Sequence, residues 1–158
     1  MRTWNQYKQT MRTDTDVFEW ARSGDVQSLM AMNLADLHLK NEKGYSPLML
    51  AAYHGHQQAC LILITRGADV NSNDLAGNSI LMGVAFKGHL EIANMLVSHG
   101  ADVSYRNPKG QSALEFAQLF GRSEVVKFLK EKQNKKPEFT FKDFFLGWSS
   151  MLRKKGSN

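Results

Sequence analysis

The chain has 158 residues, 42% hydrophobic and 22% charged, the size and balance of one folded, water-soluble domain with a short appendage. One cysteine, Cys60, excludes an intramolecular disulfide and suits a reducing compartment, the N-terminus lacks the pattern of a secretory signal, and no apolar run reaches bilayer length, so a cytoplasmic location is expected. Residues 132–158 hold seven basic and two acidic residues, which is the whole formal net charge of +5; residues 1–131 are neutral by count, which argues against a nucleic-acid or other polyanion binder.

The first element is an extension over residues 1–13, in which Trp4, Tyr7 and Met11 share helical spacing. A degenerate helix pair follows over 14–43. Gly24 separates its two helices, the second helix is about two residues short, and Trp20 stands where later units have a small residue.

Three further units over 44–76, 77–109 and 110–131 begin alike, with "GYSPLMLAAYHGH", "GNSILMGVAFKGH" and "GQSALEFAQLFGR". Gly44, Gly77 and Gly110 are 33 residues apart, as are Gly55, Gly88 and Gly121. Ser46, Ser79 and Ser112 fall where a helix begins, and a hydroxyl there caps free backbone N–H groups. Pro47 sits at a first helical position, where its missing N–H costs nothing. Ala51, Ala52 and Ala85 let neighbouring helices approach closely. Second helices repeat apolar residues at helical spacing, such as Ile62 and Leu63, Met95 and Leu96, and Phe128 and Leu129. One such pair cannot bury its apolar face; stacked copies make a continuous core.

This pattern resembles the ankyrin repeat, roughly D-x-x-G-x-T-P-L-H-x-A-A-x-x-G-H ending in G-A-D-V-N. Asp74, Gly77, Gly88 and His89 match, as do Gly55, His56 and the run Gly67, Ala68, Asp69, Val70 and Asn71. The family's Thr is Ser in all three copies, and its first His is Met49, Met82 or Glu115. The resemblance implies an all-α solenoid of four stacked helix-turn-helix units over residues 14–131, with β-turn tips and atypical terminal units.

It also implies a concave binding surface made of the turn tips and the exposed edges of the first helices. By that reading the tips offer Tyr45, Leu75, Asn78, Arg106 and Lys109. The helix edges offer Tyr53, Phe86 and Leu119 as one apolar stripe, with His54, Lys87 and Phe120 beside it. Aromatic anchors edged by Lys40, Lys43, Lys87, Arg106 and Lys109 suit a protein partner of acidic character. In the competing reading, these rings pack against their own turn tips.

The tail over 132–158 carries Phe141, Phe144, Phe145, Trp148, Met151 and Leu152 on one helical stripe, after Thr140 and Asp143 as a capping box. It reads as an amphipathic helix that caps the last repeat, enters a partner's groove, or lies on a membrane surface.

Nothing else points to chemistry. His56 and His89 occupy the repeat's loop position, where a hydrogen bond is expected, and His54 with His56 lacks the further ligands of a zinc site. Cys60 lies in the apolar run "ACLILI" and reads as a buried hydrophobe. The expectation is a monomeric, non-catalytic interaction module without metal or cofactor, acting as adaptor, inhibitor or accessory factor. The alternative is a membrane-associated regulator that uses the tail.

Overall fold

A computed structural model describes residues 15–134. They form four consecutive helix pairs: α1 (Thr15–Ser23) with α2 (Val26–Ala31), α3 (Pro47–His54) with α4 (Gln57–Thr65), α5 (Ile80–Lys87) with α6 (Leu90–Ser98), and α7 (Ala113–Leu119) with α8 (Ser123–Asn134). The first helices stack in one row, α1 on α3 on α5 on α7, and the second helices in another. The described part is all-α. Its only strand-like pairings are isolated antiparallel bridges between Asn73 and Ser79 and between Arg106 and Ser112, at the turn tips.

The serines start the inner helices as their spacing predicts. The hydroxyl oxygens of Ser46, Ser79 and Ser112 accept from the backbone N–H of Met49 (3.2 Å), Met82 (3.3 Å) and Glu115 (3.3 Å). Gly55 and Gly88 end α3 and α5 in the left-handed region, at φ 84° and 86°. A side chain at Gly55 would also meet His89, because its Cβ would lie 2.9 Å from the His89 ring.

The core runs the length of the stack. Leu29, Leu48, Leu63, Ile80, Leu81, Ile92, Leu96 and Leu129 are fully buried, and Ala51, Ala52, Ala85 and Ala117 let the inner row close up. Each large side chain contributes about 1.5–3 kcal/mol by leaving water.

The terminal units differ from the middle ones. In the first, α2 has six residues against nine in α4 and α6, and a 3-10 turn over Leu34–His38 follows it. The guanidinium of Arg66 closes the short helix, donating to the carbonyl oxygens of Leu29 (2.9 Å), Met30 and Met32 (2.7 Å). In the last, α8 continues to Asn134, three residues past the boundary that repeat spacing predicts. Val125 and Leu129 are buried, Lys132 lies over the Phe128 ring at 5.3 Å, and Gln133 donates to the Val103 carbonyl at 3.3 Å. Exposed Gln118 takes the position that Ala52 and Ala85 hold in the preceding units. The expected contacts of Trp4, Tyr7 and Met11, and the expected tail helix with its stripe from Phe141 to Leu152, lie outside the described residues.

Candidate functional site

Fixed helix starts and glycine ends put the seventh residue of α3 and of α5 at matching places in the stack. These are Tyr53 and Phe86, and their rings lie parallel, with centroids 6.1 Å apart and planes at 7°. Phe120 continues the ladder, meeting Phe86 edge-on at 4.4 Å. The third rung is therefore Phe120 and not Leu119, which the 33-residue register predicts. α7 stops at Leu119, Phe120 caps it, and Leu119 turns out to solvent with 71% exposure. The Lys87 ammonium sits 4.8 Å over the Tyr53 ring, a cation–π contact. His54 meets the edge of Tyr53 at 5.6 Å and stacks on His56 at 6.3 Å.

Of these residues Tyr53, His54 and Phe86 line a groove of about 1240 Å³ that reaches from the first unit to Phe116 of the fourth. Its lining includes Tyr45, Tyr53, His54, Asn78 and Phe86 from the sequence-predicted set. It also includes Phe18, Met49, Leu50, Met82, Gly83 and Phe116, which the sequence reading left out. A signal for most of these was present: Met49 and Leu50 precede Tyr53 by four and three residues, and Met82 and Gly83 precede Phe86 likewise, so each set shares a helix face.

Arg106, Lys109, Leu75, Leu119, Lys87 and Phe120 are not part of this lining. Leu75 is 79% exposed on its tip, where its N–H donates to the Lys43 carbonyl at 3.1 Å. Lys109 is exposed on the last tip, its N–H donating to Asn107 Oδ1 at 3.0 Å. Asn78 is held in the tip network: it donates to both Asp74 carboxylate oxygens and accepts from Asn107 Nδ2 at 2.8 Å.

The rim is less basic than its lysines and arginines suggest. Arg106 donates to both Glu115 carboxylate oxygens at 3.1 Å and to the Gly110 carbonyl. Arg22 pairs with Glu19, and Lys40 donates to the Asn73 carbonyl at 2.7 Å. Around the groove, Arg22, Lys40 and Lys43 face Glu19, Glu42 and Asp74.

The other titratable groups have structural explanations. Nε2–H of His56 donates to the Arg22 carbonyl at 2.8 Å and that of His89 to the Tyr53 carbonyl at 3.3 Å, the loop bonds expected of that position. Burial, then the neighbouring His56, Arg22, Lys87 and His89 charges, holds His54 below its ordinary value. Burial pushes the Cys60 thiol up to about 12, so it is not a ready nucleophile. Among the described residues, no group of three or more His, Cys, Asp or Glu side chains is placed to hold a metal ion.

A solenoid of stacked helix pairs with an aromatic groove on its inner row defines a repeat protein of the surface-binding kind. A family model described as "Ankyrin repeats (3 copies)" matches residues 18–107 and, in an overlapping placement, 67–141. The chain belongs to the ankyrin-repeat family. Repeats of this family are protein–protein interaction modules and are typically non-catalytic. A comparison with curated proteins found no match.

Proposed function

We propose that this chain is a non-catalytic adaptor, inhibitor or accessory factor that takes a protein partner in its concave groove. The observation that supports this is the ladder of Tyr53, Phe86 and Phe120. Three successive units each contribute one ring, and the rings pack on one another, Tyr53 and Phe86 in the groove lining and Phe120 beside it, with Tyr53 and Phe120 still exposed. Aromatic rings on a rigid frame make strong anchors, because little side-chain freedom is lost on binding. The charges that line the groove balance, which speaks against a nucleic acid, and Lys87 beside Tyr53, without a carboxylate among the described residues, favours a protein partner of acidic character. We place the module in the cytoplasm as a monomer, in keeping with its single buried thiol. Among the described residues, no helix is long and apolar enough to cross a membrane.

The experiment is affinity capture from source-cell lysate with the wild-type chain and with the Phe86→Ala/Lys87→Glu variant. A protein retained by the first and lost with the second supports the reading. Identical captures from the two would overturn it and move attention to residues 132–158.

A further inference from the structure

Along the groove floor, one column of the repeat reads Leu50, Gly83, Phe116. The outer two are large and the middle one is a glycine inside α5. Nothing in the backbone requires glycine there. Gly83 is not among the positive-φ glycines, and an added Cβ would meet only Tyr53, at an ordinary 3.5 Å. Glycine is a poor residue for a helix interior. What it leaves is a notch between two large side chains, walled by the Tyr53 ring.

The notch lies next to one lysine and one histidine that lack carboxylate partners among the described residues. His54 abuts Tyr53, and the Lys87 ammonium lies over the same ring. Among the described residues, neither has a carboxylate partner: the ion pairs there are Arg22 with Glu19 and Arg106 with Glu115. An apolar notch and an unanswered cation therefore both sit against one tyrosine.

Building on the groove reading above, we infer that the partner presents an extended acidic segment, with one leucine or aromatic side chain filling the notch at Gly83 and a nearby Asp or Glu carboxylate meeting Lys87 and His54. Pockets for alternate side chains on an extended peptide give such a surface its specificity, and the charge fixes the register. The chain's own basic tail, with seven cations against two acids, carries the wrong sign for Lys87 and His54.

The test is to pan a random twelve-residue peptide display library on the full chain and measure the selected peptides by titration. The expected peptides share a leucine or aromatic residue within about three positions of an acid. Gly83→Leu weakens them about thirtyfold, and Lys87→Glu about tenfold. Replacing the peptide's acid by lysine restores binding to the Lys87→Glu chain. Gly83→Ala is the control for folding: it raises Tm by about 4 °C, because alanine is the better helix former, while still weakening binding. Peptides that depend on Phe86 but not on Gly83 or an acid overturn this inference and leave the groove reading standing. Peptides indifferent to Phe86, Gly83 and Lys87 alike overturn both. A library that yields no binder overturns the extended segment and leaves folded partners to the lysate capture.

Discussion

The Arg122 side chain donates from Nε to the carbonyl oxygen of Phe86 at 2.9 Å. This is the bond that His56 makes to Arg22 and His89 to Tyr53 one register earlier in turn, so a guanidinium has replaced an imidazole without loss of the contact. The Arg122→Ala variant should lower stability by about 1 kcal/mol, and Arg122→His should recover most of it. Chemical denaturation of the three chains checks this. Equal losses for both variants would assign Arg122's effect to its packing against Gly88 instead.

Gly55 combines a positive φ with a crowded site. Alanine there adds left-handed strain and places a methyl group against the His89 ring, so Gly55→Ala should cost about 2–4 kcal/mol. Gly67, at φ 101° with nothing within 4 Å of an added Cβ, carries the strain alone. Gly67→Ala should therefore cost clearly less, and a thermal melt of each variant distinguishes them.

Arg66 is the clasp of the first unit. Its removal leaves three carbonyl groups at the end of α2 without their donor. We expect Arg66→Ala to cost about 1–3 kcal/mol and to speed amide exchange over residues 26–38 before that over α5 and α6. Uniform acceleration along the chain would argue against a local role.

Glu115 supplies a pH dependence. The Ser112 N–H, 2.6 Å from its carboxylate, and then Arg106 hold the carboxyl below its ordinary value of 4.5. A carboxyl whose folded value is lowered stabilises the fold fully above its unfolded value. That stabilisation is lost as pH falls through the lowered one. Glu115→Gln should therefore reduce Tm at neutral pH and match the wild type once the pH is below the folded value. An NMR titration midpoint for Glu115 at or above 4.5 would contradict this.

The periodic features were legible because each obeys a local rule that recurs every 33 residues: serine caps, left-handed glycines, alanine contacts and the loop histidines. Tyr53, Phe86 and His54 followed from the same register. What escaped it were contacts that no period encodes. Phe120 displaces Leu119 because α7 stops a residue short and a ring finds the Phe86 edge. Arg106 reaches Glu115 nine positions away across a tip, which removes it from the free rim. Arg66 reaches back more than 30 residues to a helix whose shortness was readable but whose clasp was not. Gly83 was visible as a letter; its meaning as a missing side chain appears only once Leu50 and Phe116 stand on either side of it.

Gln118 has a consequence for how the groove could be lengthened. The interior units bury an alanine completely at this position, Ala52 and Ala85, and the last described unit exposes an amide instead, which a stacked neighbour would strip of water. Rewriting Gln118 to alanine and splicing in another 33-residue unit should extend the aromatic ladder by one rung, so the span of partner the module can read becomes an integer that an engineer may choose.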